Sequence, residues 1–220
     1  MTDRERGPTD VGDGAERESN GASAGCWPIE LRGVTETVVT TLGPNGRWNV
    51  AALGVFAPEA DDGPARARTW GNTRTRRNFH RQGEGYVQFT HDALDFVHAA
   101  LTITERTEPV LESAQAWTRV AVDAVDSGTS AGTDWEEWTL EPRESAVTDP
   151  TVTPINRGFG AVIEATVAAS RLGIDGYDDA ELEARLEHAL AVVDRTGGAT
   201  EREAMAVLIA ESPWSPDDRS

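Results

Sequence analysis

Thr69-Trp-Gly-Asn-Thr-Arg-Thr-Arg-Arg-Asn-Phe79 decides how the rest of this chain reads. The stretch lies in an acid-free island of 21 residues, 63–83, which holds six of the 20 basic residues: Arg66, Arg68, Arg74, Arg76, Arg77 and Arg81. Asn72 or Thr73 can cap a helix running to about Gln82, with Gly83 as its stop. A helix starting near Thr73 points its first N–H groups at the preceding loop. Their partial positive charge stabilises an anion by roughly 0.3–1 kcal/mol at an exposed site. Arg74 and Thr75 lie in that first turn, and Asn78, one turn on, shares their face. The island therefore reads as a cradle for a phosphorylated small molecule. Three other readings stay open on the residues alone: arginines balancing an acidic surface, a strip that contacts RNA, or a contact for an acidic protein partner. Against RNA, only Trp70 and Phe79 lie close enough to stack on bases.

Ala65–Trp70, just before the island's helix, has the pattern of a short strand, and Gly85–Thr90, just after it, of another. Further upstream, Glu36-Thr-Val-Val-Thr-Thr-Leu42 and Arg47–Phe56 flank the turn signal Gly43-Pro-Asn-Gly46, which predicts a hairpin. The second of these strands carries small residues, Asn49, Ala51, Ala52 and Gly54. They remove bulk where something flat or another backbone approaches, although tight packing against a helix explains them equally well. Pro58–Pro64 reads as an acidic loop. Downstream, His91-Asp92 opens a short helix holding Leu94, Phe96 and Val97. Strand signals return at Trp117–Val125 and Trp135–Leu140, with Ser127–Thr133 read as a loop. Strands with helices between them fit a small barrel.

The last third changes to helical spacing, first at Phe159, Val162, Ile163, Thr166 and Val167. Asp178-Asp-Ala-Glu181 and Thr200-Glu-Arg-Glu203 resemble capping boxes for two further helices. The expected domains are a polar, disordered leader at 1–26, a barrel domain at 27–150, a helical region at 151–212 and a frayed tail at 213–220.

Net charge is −18, with 38 acids against 20 arginines and no lysine. An acidic, lysine-free surface suits a cytoplasm of very high salt, where screening suppresses self-repulsion, and a GC-rich genome also favours Arg over Lys. Global acidity argues against nucleic acid as the main partner. The single Cys26 and four scattered histidines exclude an intramolecular disulfide framework and a Cys/His zinc cluster. No apolar run approaches the roughly 20 residues that span a bilayer, and a cytoplasmic protein is expected.

Glu36-Thr-Val-Val-Thr-Thr, Trp48-Asn-Val-Ala-Ala-Leu-Gly-Val, Thr73-Arg-Thr-Arg-Arg-Asn-Phe and Val87-Gln-Phe-Thr-His-Asp92, in that order, resemble an uncharacterised archaeal protein family. Asn156-Arg-Gly-Phe-Gly-Ala-Val-Ile-Glu164 resembles it too. Its members are FMN-binding split β-barrels, distant relatives of pyridoxamine-phosphate oxidases and flavin reductases. The resemblance implies a mainly β with α (α+β) fold, an FMN-binding split β-barrel followed by a C-terminal helical appendage. It also implies a homodimer with FMN at the interface. Thr73, Arg74, Thr75 and Asn78 would then hold the FMN phosphate. Asn49, Ala51 and Ala52 would lie against the isoalloxazine, and Thr41 near the ribityl or phosphate. The resemblance implies Ser at the position of Thr73 and an aromatic at that of Arg76, and this sequence departs from it at both.

Such a protein is a flavin-dependent oxidoreductase on a small substrate, or a carrier or regulatory module that binds FMN without turnover. An enzyme leaves an open, partly polar cavity over the ring, whereas a carrier covers it with apolar side chains. RNA binding through the arginines is the third reading. His80, His91 and His98 are candidate proton donors, each more simply explained as surface or structural.

Overall fold

The computed structural model describes residues 23–58, 64–130, 132–151, 153 and 156–216. Residues 1–22 of the expected leader, 59–63 of the acidic loop and 217–220 of the tail lie outside the described residues. The expected hairpin forms from β2 (Val34–Leu42) and β3 (Trp48–Phe56), in register from Val34↔Phe56 to Leu42↔Trp48. After it come β4 (Ala65–Trp70), α1 (Arg74–Gln82), β5 (Glu84–Thr90), α2 (Ala93–Leu101), β6 (Thr104–Arg106), β7 (Ala114–Ser130) and β8 (Thr133–Val147). The order β8-β4-β3-β2-β5-β7, with β7 paired back onto β8, closes a six-stranded antiparallel barrel. A two-residue strand, β1 (Ser23–Ala24), adds to β8 opposite Ser145 and Glu144, so pairing begins inside the stretch expected to be a leader.

Side-chain alternation along each strand sorts inside from outside. In β4, Ala65, Ala67 and Thr69 are buried, while Arg66 and Trp70 are exposed. Val39, Val55, Val87, Val120, Trp138 and Leu140 fill the interior together with Phe79 of α1. Helix α1 packs across β2, β3, β5 and β7, with the Phe79 ring edge-on to Trp138 at 5.2 Å. Polar bonds lock it there. Asn78 Nδ2 donates to the Thr41 carbonyl at 3.2 Å and to Thr41 Oγ1 at 2.9 Å. Asn49 Nδ2 donates to Thr75 Oγ1 at 3.4 Å, and all four residues are buried. The caps agree with the sequence: Thr73 Oγ1 accepts the Arg76 N–H, and Gly83 ends the helix at φ 65°. That left-handed conformation is one that glycine reaches without a Cβ penalty.

The segment Ser127–Thr133, expected as a loop, is instead the outer part of a β7–β8 hairpin paired from Ser127↔Glu136 to Ser130↔Thr133. Much of this ribbon is exposed, so its strands carry no apolar alternation to read. Strand β8 also runs past Pro142, next to a register shift at Arg119/Val120. A bulge is one of the few places where a strand tolerates proline.

The C-terminal helices are α3 (Arg157–Ala169), α4 (Asp179–Thr196) and α5 (Ala199–Glu211). They are joined to the barrel through α2, which serves both halves. Its Phe96 and Ala99 pack on Val38 and Val50 of the barrel wall. Its Ala93 and Val97 join Val162, Leu186, Met205 and Leu208 in the helical core. Trp214 is buried in the same core, so packing continues past Pro213, where a frayed tail was expected. Asp178 caps α4 as expected. Helix α5 starts earlier than expected, with Gly198 as its N-cap and Glu201, not Glu203, accepting the Gly198 N–H at 2.7 Å. Among the described residues, no helix is long and apolar enough to cross a membrane.

The close approach of α3 to the end of α4 is testable. A Cβ added at Gly158 would lie 2.6 Å from Gly197 Cα, whereas one at Gly160 meets nothing within 4 Å. In urea unfolding, Gly158→Ala is expected to cost about 1–3 kcal/mol. Gly160→Ala is expected to be neutral, or stabilising by about 0.5–1 kcal/mol, since alanine is the better helix residue. Equal stability of the two variants would contradict this packing. Asn78→Ala, which removes the amide tying α1 to β2, is expected to lower stability by about 1–3 kcal/mol in the same assay.

Candidate functional site

The barrel is split along one edge of β3. β4 pairs with β3 only at Val55↔Ala67 and Phe56↔Arg66, then follows β8 from Ala65↔Leu140 to Trp70↔Trp135. β6 takes the same edge of β3 only at Trp48, Asn49 and Val50. Between these pairings, Ala51–Gly54 have no strand on that side among the described residues. Backbone groups directed there are available to a ligand, since a buried polar group needs a partner.

Helix α1 starts at the mouth of this split. Thr73 caps the Arg76 N–H, and the Arg77 N–H bonds the Thr73 carbonyl at 3.2 Å. The N–H groups of Arg74 and Thr75 have no partner among the described residues, as the first turn of any helix dictates. Thr73 and Arg74 thus stand at a helix start whose first turn carries no acid. One carboxylate, however, competes for the position. Arg74 Nη1 lies 2.8 Å from Glu105 Oε1 on β6, and Glu105 also takes Asn45 Nδ2 at 3.1 Å and lies 3.9 Å from Arg47 Nε. Glu105 is about 30 residues from Arg74 in sequence, and no local signal joins them.

The remaining predicted site residues divide. Thr41, Asn49, Thr75 and Asn78 are brought together as the buried network that seats α1, so their side chains form a scaffold beneath the helix start. Ala51 and Ala52 point to opposite faces, as successive strand residues must. Ala51 packs with the barrel interior, and Ala52 faces the outer wall beside Val38 and Phe96.

Most of the island's charge is answered within the fold. Arg66 and Arg68 pair with Glu137 at 3.2 and 2.7 Å, and Arg68 also stacks on Trp135 at 4.3 Å. Arg76, in the position where an aromatic was expected, pairs with buried Glu136 at 2.7 Å, which His80 also contacts at 2.8 Å. Arg77 donates to the Asn72 carbonyl and side chain, and Arg81 to the Leu42 carbonyl and to Asn78 Oδ1. Neither has an acidic partner among the described residues. His91 stacks on Phe159 at 3.9 Å, which ties the barrel to α3. Among the described residues, no group of His, Cys, Asp and Glu is arranged to hold a metal.

Outside the split lies a cleft of about 370 Å³, walled by β2–β4 on one side and by α2 and α3 on the other. Ala52, Gly54, Trp70 and Phe96 line it together with Glu36, Arg68, Ser170 and Arg171. A Cβ at Gly54 would meet Val34 Cγ1 at 3.1 Å and both Glu36 carboxylate oxygens at 3.8 Å, so the missing side chain leaves the Glu36 carboxyl open to the cleft. Partial burial pushes that carboxyl above its ordinary pKa; Arg171 opposes the shift and Glu164 adds to it. Burial disfavours the charged form, and Glu36 is the one acid of the cleft so perturbed.

Residues 35–149 match the N-terminal domain of a protein family of unknown function, DUF447, and residues 156–210 match a second region of that family. No curated protein matches the chain. An FMN-bound protein from Methanosarcina mazei, assigned to the same family, is similar in structure with a TM-score of 0.68 and 22% identity, over 83% of this chain and 96% of that one. The flavin reductase of styrene monooxygenase from Pseudomonas putida S12 scores 0.40 at 12% identity, over 53% and 82%. Flavoredoxin from Methanosarcina acetivorans scores 0.40 at 12% identity, over 58% and 79%. The Methanosarcina mazei protein shares the fold across both the barrel and the helices. Matched in both halves and over most of its length, this chain belongs to the DUF447 family.

Proposed function

We propose that the chain binds FMN, with the phosphate at the start of α1 and the ring at the split of β3, and that it is a flavin-dependent oxidoreductase on a small substrate. The observation that carries the reading is the acid-free helix start, with Thr73, the free N–H groups and Arg74, set beside an unpaired strand edge. The fold shared with an FMN-bound protein of the same family supports it. The residues present fit the group. A helix N-terminus with an arginine fork suits a phosphate. Ala52 and Gly54 leave room for a flat ring where larger side chains would fill the cleft.

In this reading Thr73 and Arg74 contact the phosphate, while Thr75, Asn78, Thr41 and Asn49 hold the helix that presents it. Ala52 lies beside the ring, and Ala51 keeps the strand edge thin. Bound FMN supplies hydride and single-electron chemistry, and the protein supplies placement. Turnover is favoured over a carrier role because the cleft is open and partly polar, with Glu36, Ser170 and Arg171 beside Trp70 and Phe96. RNA binding is disfavoured, since Arg66, Arg68, Arg74 and Arg76 already pair with Glu105, Glu136 and Glu137. A homodimer with a second copy closing the flavin site, in a salt-rich cytoplasm, fits the acidic surface.

Glu105 gives the reading a two-signed test. In FMN titrations followed by flavin fluorescence, Arg74→Ala is expected to weaken binding about tenfold or more, the loss of one charge-assisted contact of about 1.5–3 kcal/mol. Glu105→Gln is expected to tighten binding severalfold, because it removes a repelling charge and frees the Arg74 fork. A protein that takes up no FMN would sink the proposal. Unchanged affinity in both variants would place the phosphate elsewhere.

A further inference from the structure

The cleft adjoins a second cavity of about 490 Å³, bounded by the end of β4, the β7–β8 ribbon and the α3–α4 connection. The two share Trp70, Ser170 and Arg171. Their rims carry Val34, Phe56, Trp70, Ile174 and Tyr177, five of the nine large apolar residues that are exposed among the described ones. Trp70 and Tyr177 are 47% and 48% exposed. Aromatic surface gathered around one concavity marks a binding site more than scattered exposure would.

The charges narrow what could bind. Arg68 is already paired with Glu137. Arg171 is not paired: no carboxylate of a described residue lies within ion-pairing distance, and its guanidinium lies over the Tyr177 ring at 5.4 Å. A guanidinium without a carboxylate partner keeps its donors for one, bound in a fork. Glu36 lines the first cavity and Asp175 the second. Each shares a cavity with Arg171, so together they repel a polyanion more than a single negative charge.

We propose that the second cavity binds a small aromatic monocarboxylate, its ring against Trp70 and Tyr177 and its carboxylate on Arg171, as substrate of the neighbouring site. This rests on the reading of the first cleft as the flavin's place, which leaves the second cavity to the substrate. The chemistry disfavours nicotinamide dinucleotides there, because their pyrophosphate would face Glu36 and Asp175.

The probe is benzoate, titrated into the full-length protein with and without FMN and followed by tryptophan fluorescence and saturation-transfer NMR. Benzamide, neutral and of the same shape, and benzene-1,3,5-tricarboxylate, a polyanion, are the controls. Benzoate is expected to bind at least tenfold more tightly than either. Arg171→Gln is expected to weaken benzoate binding at least tenfold, and Arg171→Lys, which keeps the charge without the fork, to recover part of it. Tyr177→Ala is expected to weaken benzoate severalfold. Failure of benzoate to bind the wild-type protein, or equal binding to Arg171→Gln, overturns the proposal. Benzoate binding in a protein that takes up no FMN supports this site and overturns the flavin reading alone.

Discussion

β4 pairs with β3 over two residues and with β8 over six, and much else in this molecule follows from that inequality. Staying with β8 lets Ala65, Ala67 and Thr69 join the barrel interior, with Thr69 Oγ1 accepting from buried Trp138 Nε1 at 2.9 Å. The cost is an open edge along Ala51–Gly54. A bare strand edge invites uncontrolled pairing unless something covers it. Here β6 covers one end of the edge, and α1, α2 and α3 approach from its two sides. What stays open is a slot with backbone groups on one wall and a helix N-terminus at its mouth.

Charge is distributed around that slot with a clear asymmetry. The chain is strongly acidic, yet residues 63–83 hold no acid. Acids reach the island's arginines from β6 and β8 instead, through Glu105, Glu136 and Glu137. Buried Glu136 is answered by Arg76 and His80, which is how a carboxylate tolerates burial. Glu105 stands differently, half open beside Arg74 at the helix start. It occupies the Arg74 guanidinium beside a first turn that carries no acid of its own. Charge balance therefore accounts for Arg66, Arg68 and Arg76, while the first turn of α1 carries no acid.

The helical half does more than decorate the barrel. Because α2 buries Phe96 against the sheet and Val97 against the helices, neither half can shed the other without exposing apolar surface. Each fully buried side chain of this size is worth about 1.5–3 kcal/mol, so the union is not loose. It also sets the far wall of the cleft, since Thr166, Val167, Ser170 and Arg171 come from α3 and the turn after it. The concavity beside the split exists only because these helices dock there.

Where structure follows local rules, the sequence was legible. The 43–46 turn, the caps at Thr73, Gly83, Asp92 and Asp178, and the alternation in β4 each act within a few residues, and each determined its element without help. So did the acid-free start of α1. Legibility failed where position depended on distant partners. The solvated β7–β8 ribbon carried no periodic signal, and Trp214 found its core only once α2, α3, α4 and α5 had met. The burial of Asn49, Thr75, Thr41 and Asn78 in one network, the competition of Glu105 for Arg74, and the meeting of Glu36 with Arg171 across more than a hundred residues were decided by tertiary structure alone. Hydrogen bonding and periodicity act along the chain and can be read from it. Which face meets which, and therefore which charges face each other, depends on packing among all the elements at once.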